Sequence, residues 1–525
     1  MKKTPDRYFA GIIARVCALA IIISSCNNTL RDDGFISVSN RSFIDPQGRV
    51  IIFHGVNLVN KNPDVSFEGF MPQEKFNKMA ATGYNLVRLG FTWSGIEPEP
   101  GLYNEKYLEG IDGAVGRAEN AGLYVLLDMH QDLFSQLYSD GAPEWATLNE
   151  DKEHLRGEVW SDSYLISPAV QTAFDNFWAN APAPDGIGIQ DHLASVWKML
   201  AERYADDKQI IGYDILNEPF MGSSANMVMP TFIGTYAHLI GSQGADVPPM
   251  EELGEMWGRV ESRLEILKTL QDTTLYQPVI LSAKDLVDQF EQGPLSDFYQ
   301  KVRNRIREVN DHHIIFLEHN YFSNMGVPAS FKIPVDDDGI NDRLIAYAPH
   351  GYDLVVDTDG VDDPANTRVE FIFNQAYNTS IRLGIPMLVG EWGAFGGDRP
   401  GYLDAGKFIV SRFEKHQCSD TYWHYERDAE STSFFRMQNR FYPGRINGKL
   451  ESYSYDVDEG SFVAKWTEDP YNKAESRFYV PYLIDIPRDK VIVEPMSDVR
   501  YRMSDEGNGG WLEVEPVGGE RIIKY

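Results

Sequence analysis

Two glutamates in this sequence have the positions that acid–base chemistry requires. Glu218 follows the apolar run 210–216 and comes directly after Asn217, and Glu391 follows a second apolar run at 386–389. Cleavage of a glycosidic bond needs two carboxyl groups across a cleft, because one protonates the leaving oxygen while the other attacks the sugar or activates water. A lone glutamate at a strand end is more often a cap or a salt-bridge partner. The pair, with Asn before one member and Gly-Glu-Trp-Gly around the other, favours a glycosidase.

The two glutamates can meet only if the strands that precede them converge. Eight short β-branched runs alternate with amphipathic segments of helical spacing, which predicts an α/β protein with a (β/α)8 TIM barrel and long inserted loops. In that fold the carboxyl ends of the strands surround one mouth. A doubly wound open sheet is the alternative, and no glycine-rich phosphate loop supports it. The predicted strands are 50–57, 85–90, 123–129, 210–216, 313–318, 344–348, 386–389 and 421–424, and the predicted helices are 72–82, 105–121, 190–204, 294–309, 366–383 and 403–416.

Three connections are unusually long, and they cover about residues 131–188, 220–293 and 351–364. All three leave the carboxyl ends of predicted strands, the face on which barrel active sites form. Loops of this size in a compact domain are usually functional.

The pattern changes after about residue 436. Helical spacing ends, and short alternating runs separated by Gly, Pro and Asp turns follow, which predicts a small β-sandwich. Its apolar face is expected either to pack on the barrel or to bind a ligand. We therefore predict a catalytic barrel over residues 36–436 and a C-terminal β-sandwich domain over residues 437–525.

The first 26 residues have the features of a secretory signal. A basic start precedes an apolar run at 16–23, which is far shorter than the roughly 20 residues that span a bilayer. Ser24-Ser25-Cys26 resembles a bacterial lipobox, in which Cys26 becomes the lipidated first residue and residues 27–35 form a tether. An ordinary cleaved signal is the alternative. We expect a secreted protein anchored to a bacterial membrane, the outer one being favoured by Asn27, on its periplasmic or cell-surface side.

Composition limits the partners of the chain. Its 525 residues include 78 Asp plus Glu against 48 Lys plus Arg, for a formal charge of −30, and phosphate backbones need clustered positive charge. We therefore expect no nucleic-acid partner. The three cysteines provide no disulfide framework, because only Cys418 remains once Cys17 is removed and Cys26 is acylated. We expect a monomer that needs no cofactor and no metal.

The motifs around the two glutamates resemble those of glycoside hydrolase family 5, a retaining family with this barrel. Leu216-Asn217-Glu218-Pro219 is similar to its acid/base signature and Gly390-Glu391 to its nucleophile signature, and the resemblance covers nearly all of residues 36–435. It implies that Glu391 attacks the anomeric carbon and that Glu218 donates and then removes a proton. It also implies supporting roles. Arg88 and Tyr352 would orient the nucleophile, Asn217 would bond the sugar 2-hydroxyl, and His130, Asp132, His350 and Trp423 would contact the substrate.

Within that family the chain looks most like the endoglycoceramidases, which release the glycan of a glycosphingolipid from ceramide. Lys61 and Trp145 match sugar-contacting positions of that group only loosely, and the region 221–293 shows no clear match. The motifs that carry the resemblance are 88–98, 128–132, 141–145, 441–446 and 452–456.

Several other functions stay open at this stage. One is a polysaccharide endo-hydrolase of the β-1,4-glucanase or mannanase type. Another is a hydrolase of simple glycosylceramides or β-glucosides, and a third is an idle glycan-binding lipoprotein. Apolar side chains at 132–138 and 227–233 would either line a groove for the ceramide chains or pack the inserted loops onto the barrel.

Overall fold

The computed structural model describes residues 33–61, 71–426 and 429–525. The predicted signal sequence and Cys26 lie outside these ranges. The described residues belong to one compact unit, Arg31–Tyr525. No helix among them is both long and apolar enough to cross a membrane, and Cys418 is a buried free thiol.

Eight parallel strands form the predicted barrel, and the first strand pairs with both the second and the eighth. The ring closes between the sixth and seventh strands, where Tyr347 bridges Met387 and its N–H donates to the Pro386 carbonyl at 2.9 Å. A closed ring excludes the open doubly wound sheet. The barrel strands are His54–Val59, Leu86–Thr92, Tyr124–His130, Ile210–Asp214, Ile314–Leu317, Ile345–Tyr347, Leu388–Val389 and Ser419–Tyr422.

The predicted helices surround this ring. The second of them buries Leu108, Ile111, Val115 and Ala118, whose spacing of three and four residues places them on one face. The Asn104 side chain caps its start by accepting the N–H of Tyr107. The six helices are Gln73–Ala81, Glu105–Asn120, Ile189–Arg203, Ser296–Arg307, Asn366–Leu383 and Tyr402–His416.

The long connections after the third and fourth strands contain further helices. We predicted a long loop over residues 220–293, but most of it is helical, since its apolar residues pack the segments on one another and on the barrel. After the third strand come Asp162–Ile166 and Pro168–Trp178. After the fourth come Val228–Ser242, Met250–Gly258, Val260–Thr269, Thr273–Leu281 and Lys284–Phe290.

The C-terminal residues form the predicted β-sandwich of antiparallel strands. Phe462, Trp466 and Phe478 are buried between its two sheets. One sheet contains Tyr442–Ile446, Ser476–Val480, Gly510–Val514 and Val499–Met503, and the other contains Lys449–Asp456, Ser461–Glu468, Gly519–Lys524 and Ile492–Glu494.

The boundary between the two domains differs from the predicted one at residue 36. Three strands before the barrel, Ser37–Ser39, Ser42–Ile44 and Val50–Ile51, extend the larger sandwich sheet through pairing of Val50 with Ile446. These strands also bury Phe43 against barrel residues, so one segment serves both domains.

The sandwich packs on the barrel. The hydroxyl of Tyr442 donates to the Gly83 carbonyl at 2.7 Å, and that of Tyr479 donates to the Ala81 carbonyl at 2.9 Å. Of the two roles expected for the sandwich, these contacts establish packing.

Candidate active site

The barrel brings Glu218 and Glu391 together at its mouth. One carboxylate oxygen of each lies within 4.8 Å of the other and of a ring nitrogen of His350. Both residues are largely buried, at 7% and 5% exposed. Retaining glycosidases hold their carboxyl groups about 5–5.5 Å apart, whereas inverting enzymes separate them by about 6.5–9.5 Å to admit a water. The spacing found here is that of a retaining enzyme.

Two donors fix the carboxylate of Glu391. Arg88 Nη1 donates to Oε1 at 2.9 Å, and the hydroxyl of Tyr352 donates to Oε2 at 2.9 Å. The residue before it must be small, because a Cβ on Gly390 would lie 2.9 Å from Nε2 of His350. The glycine therefore lets the backbone that carries Glu391 lie close to the side chain of His350.

Arg88 is fully buried and forms ion pairs with four carboxylates. Asp128, Asp214, Glu318 and Glu391 each lie 2.9 Å from one of its nitrogens. Their charges outweigh the effect of burial and hold the pKa of Arg88 well above its usual value. A guanidinium in this position is a permanent cation that orients the nucleophile and compensates for its charge.

Burial and neighbouring charges act on Glu391 in opposite directions. Burial and the acids Glu218 and Glu318 raise the pKa of Glu391, the cations His350 and Arg88 lower it, and the net result is a pKa of about 7. His350 is itself held protonated, since the surrounding carboxylates raise its pKa well above the ordinary value in spite of burial.

Glu218 is held in an unusual backbone conformation. Its φ is +43°, in the left-handed region that residues other than Gly seldom adopt. Its Oε1 accepts Nδ2 of Asn324 at 2.7 Å and Nδ1 of His350 at 3.0 Å. Because both donors use Oε1, the other oxygen, Oε2, is left for exchanging a proton with the substrate.

A polar wall beside the two glutamates is built from predicted substrate-binding residues. Lys61, His130, Asp132 and Trp423 line the same cavity of about 240 Å³. The ring of Trp423 stacks on His130 at 5.3 Å, and Nζ of Lys61 lies 5.1 Å from that indole while pairing with Asp132. This wall offers a flat apolar surface next to hydroxyl-binding groups, as a sugar ring requires.

His130 presents an acceptor to this cavity. Burial and the nearby Lys61 hold its pKa well below the usual value, so the ring is neutral. Nδ1 lies 2.9 Å from Oδ2 of Asp128 and donates its hydrogen there. That leaves Nε2 deprotonated, buried and without a hydrogen-bond partner among the described residues, so it can accept a sugar hydroxyl.

Three predicted site residues take other positions. His350 is buried against the two glutamates and does not line the cavity. Trp145 does not line the cavity, because its indole donates to the Glu97 carbonyl at 3.0 Å and packs on Trp93 and His192. Asn217 is buried beneath Glu218, where its Oδ1 accepts Arg88 and its Nδ2 donates to the Gln131 carbonyl. These bonds make Asn217 part of the support for Glu218 and Arg88.

The residues of the barrel match a known family model over most of the chain. Residues 47–429 match the model described as Cellulase (glycosyl hydrolase family 5). The chain belongs to glycoside hydrolase family 5.

Relatives of this family 5 hydrolase share part of its sequence and its fold. It is 33% identical to an endoglycoceramidase of Cyanea nozakii over 37% of this chain and 44% of that protein, so the match spans less than half of that relative. It is 24% identical to endoglycoceramidase I of Rhodococcus hoagii over 84% of this chain and 77% of the relative. Its fold matches an endo-glycoceramidase II of Rhodococcus sp. in a ganglioside GM3 complex, with a TM-score of 0.70 at 23% identity over 93% of this chain and 99% of that one.

Three acidic partners of Arg88 in this family 5 hydrolase were not predicted from the sequence. Asp214 ends the fourth strand, Glu318 follows the fifth and Asp128 lies in the third. Strand position was the signal that identified Glu218, and it was available for these acids too. What the sequence did not reveal is that they face a buried cation.

Besides Glu218, His350 and Glu391, two clusters among the described residues of this family 5 hydrolase have side chains of metal-ligand type. One is His130, Asp132 and Asp140, and the other is Asp128, Asp214 and Glu318. Lys61 pairs with both aspartates of the first, and Arg88 pairs with every member of the second. The chain thus supplies a cation of its own to each cluster.

Proposed function

We propose that this family 5 hydrolase is an endoglycoceramidase, which cleaves the β-glycosidic bond between the glycan and the ceramide of glycosphingolipids with retention of configuration. The similar proteins from Cyanea nozakii and Rhodococcus hoagii bear this name. The observation that carries the proposal is an apolar pocket that shares four lining residues with the catalytic cavity.

This apolar pocket lies within the helical insertion after the fourth strand. Met229, Trp257, Met325 and Leu354 line both the pocket and the cavity that holds the two glutamates. Its remaining lining is also mainly apolar: Phe232, Ile233, Tyr236, Leu253, Ile266, Leu270, Tyr276, Val279 and Ile280. A polysaccharide would gain nothing from such a surface, whereas hydrocarbon chains gain about 0.8 kcal/mol for each CH₂ buried.

The two apolar segments singled out in the sequence have different roles. Phe232 and Ile233 line the apolar pocket. Leu133 and Phe134 are buried in the core instead. Phe134 packs on Phe174 and Phe177, in the helical connection after the third strand. Only the segment after the fourth strand therefore supports a lipid aglycone.

The first chemical step breaks the bond to ceramide. Glu391, oriented by Arg88 and Tyr352, attacks the anomeric carbon and forms a glycosyl ester, while Glu218 transfers its proton to the departing ceramide oxygen. The step needs Glu391 ionised and Glu218 protonated. Mutual repulsion of two carboxylates within 4.8 Å favours a single proton on the pair.

The second step releases the glycan. The ester on Glu391 carries no charge, so it does not repel the Glu218 carboxylate. Glu218 then removes a proton from water, the water oxygen attacks the anomeric carbon, and the C–O bond to Glu391 breaks. The original charges of both residues are restored.

The function is tested with a panel of glycosphingolipids, with β-glucan and mannan as controls. We expect free oligosaccharide and intact ceramide from the glycolipids and no release from the polysaccharides. Cleavage of a polysaccharide without cleavage of any glycolipid would overturn the lipid assignment and leave the retaining mechanism in place. Release of single sugars only from glucosylceramide would make the chain a glucosylceramidase.

We also propose that Cys26 is lipidated and anchors a monomeric enzyme to a bacterial membrane. The support is the basic start, the short apolar run and the Ser24-Ser25-Cys26 sequence. In a bacterial host, incorporation of an alkyne fatty acid should label the wild-type protein, which should sediment with membranes. Cys26→Ser should be unlabelled and soluble, and equal labelling of both would contradict the proposal.

A further inference from the structure

Glu318 is a buried carboxylate that contacts Glu218 directly and two cations that face Glu391, without lining the cavity. It follows the fifth strand and is 1% exposed. Its Oε2 accepts the backbone N–H of Glu218 at 2.8 Å, and its Oε1 accepts Nη2 of Arg88 at 2.9 Å. Nε2 of His350 lies 3.3 Å from the same Oε1. The mechanism described above leaves this carboxylate without a role.

The contact with Glu218 acts on a strained position. A non-glycine residue at φ +43° persists only where its surroundings hold it. The hydrogen bond from its N–H to the Glu318 carboxylate supplies such a hold, and bonds to charged acceptors are stronger than neutral ones. By holding this backbone conformation, Glu318 determines the direction in which the Glu218 side chain leaves the main chain.

The contacts with Arg88 and His350 act on the nucleophile. Both of these cations also face Glu391, so the charge of Glu318 influences that carboxylate through them and directly. The titratable and charged groups around Glu318 come from several elements of the barrel. They are Arg88, Asp128, Asp214, Glu218, Tyr299, Tyr347, His350 and Glu391.

We propose that Glu318 is a positioning residue for both catalytic glutamates: it fixes the backbone of Glu218 and sets the pH range over which Glu391 is ionised. The proposal rests on the glycosidase chemistry proposed above and is independent of the lipid aglycone. Burial raises the pKa of Glu318 to about 8 against the opposing charge of His350, but each group that its oxygens contact is a donor, which suits the ionised form. An amide at this position would turn its NH₂ group toward a donor. Glutamine therefore cannot reproduce the arrangement.

Two variants separate position from charge. Glu318→Gln removes the charge and keeps the length, and Glu318→Asp keeps the charge and shortens the side chain. The matched control is Glu291→Gln, because Glu291 is also fully buried and accepts backbone N–H groups, here of Asn320 and Phe331, away from the active site. All three are assayed on an aryl β-glycoside that the wild type cleaves.

For Glu318→Gln we expect kcat to fall about 10- to 100-fold, the cost of one charge-assisted hydrogen bond, with KM within about 2-fold because the residue does not line the cavity. The acid limb of its pH profile should move to lower pH, because loss of a negative charge makes Glu391 easier to ionise.

Glu318→Asp should lose kcat to a similar extent while its pH profile stays in place. The control Glu291→Gln should lower thermal stability and leave both kcat and the pH profile unchanged. A loss of kcat in Glu318→Gln with an unmoved acid limb would reduce Glu318 to a structural residue and overturn the proposal. Wild-type kcat in both Glu318 variants would overturn it as well.

A measurement without turnover separates this proposal from the proposed function. In protein labelled with ¹³Cδ-glutamate, the signal of Glu391 is assigned by its absence in Glu391→Gln and titrated by NMR. We expect its pKa to be lower in Glu318→Gln than in the wild type and unchanged in Glu291→Gln. An unchanged pKa in Glu318→Gln contradicts the proposal even if no β-glycoside is cleaved.

Discussion

His350 donates the hydrogen on its Nδ1 to Oε1 of Glu218 across 3.0 Å, and the same nitrogen lies 3.5 Å from Oε2 of Glu391. A protonated imidazole between the two glutamates partly offsets the repulsion that disfavours ionisation of both. The donor is shared, so a change in the charge of one carboxyl is transmitted to the other through a single ring. This coupling underlies the exchange of roles that double displacement requires.

The pH dependence should show an acid limb near pH 7. Burial raises the pKa of Glu391 to about 7, and only the ionised carboxylate can attack, so kcat/KM should fall as the pH drops below that value. His350→Asn removes the neighbouring cation and should move this limb to higher pH. Initial rates from about pH 5 to about pH 9 test both expectations, and a flat wild-type profile down to pH 5 would contradict them.

Substitution of Glu391 and of Glu218 should lower kcat in different ways: only the effect at Glu218 should depend on the leaving group. Glu391→Gln should lose on the order of 10⁴-fold or more of kcat on every substrate, as is usual when a nucleophile is removed. Glu218→Ala should lose about 10²- to 10⁴-fold on glycolipids, whose leaving oxygen needs a proton. On aryl glycosides with acidic phenols its first step should remain nearly normal, and added azide should restore turnover.

Mass spectrometry provides the check on these roles. A fluorinated glycoside should leave an adduct on Glu391 in the wild type, and the adduct should persist longer in Glu218→Ala. An adduct on another residue would disprove the assigned nucleophile.

Much of this arrangement follows from local sequence, and some of it does not. Glu218 and Glu391 could be recognised because each directly follows an apolar strand, and the predicted strands agree with the barrel strands to within a few residues. Trp145 was assigned to the cavity from its loop, but the turn Glu144–Ala146 directs its indole toward Glu97. A loop motif fixes the position of a residue along the chain and leaves the direction of its side chain to tertiary packing.

Contacts between residues distant in sequence could not be predicted from local patterns. The role of Glu318 depends on Arg88, 230 positions earlier in the chain, and no periodic pattern joins the two. The helical insertion after the fourth strand posed a related problem, because its short apolar segments face one another as well as the barrel.

Met229 should govern the recognition of lipid-linked substrates. It lines both the apolar pocket and the catalytic cavity, so Met229→Lys should raise KM for a glycosphingolipid about 10-fold or more, the cost of losing one buried apolar side chain. The same variant should cleave a soluble aryl glycoside normally. Met229→Leu, which conserves volume and polarity, is the control, and an equal loss on both substrates would place the lipid elsewhere.

Trp423 and Trp145 should have different functions, although both are aromatic residues near the barrel mouth. Trp423→Ala removes the surface stacked on His130 and should lower kcat/KM about 10-fold or more, because the sugar loses its aromatic contact. Trp145→Ala should reduce thermal stability, since it deletes packing on Trp93 and His192. Its kcat/KM should stay close to the wild-type value, and a larger loss there than in Trp423→Ala would contradict the site described.

Asn324 should matter most where proton donation limits the rate. Its Nδ2 donates to Oε1 of Glu218 at 2.7 Å, and its Oδ1 lies 2.8 Å from Nε2 of His319. His319 also contacts the hydroxyl of Tyr347 at 2.5 Å, so the amide is held in one orientation. Without it the Glu218 carboxyl can rotate, and Oε2 no longer faces the leaving oxygen for most of the time.

Asn324→Ala should therefore slow glycolipid cleavage about 10- to 100-fold, the range expected for a hydrogen bond to a charged group, and barely affect aryl glycosides with acidic phenols. Asn320→Ala is the matched control on the same segment, because Asn320 is equally buried but bonds to Glu291. Rates plotted against the pKa of the phenol test the idea. A steeper dependence in Asn324→Ala than in the wild type and in Asn320→Ala indicates lost proton donation, whereas parallel plots would show that Asn324 acts only on stability.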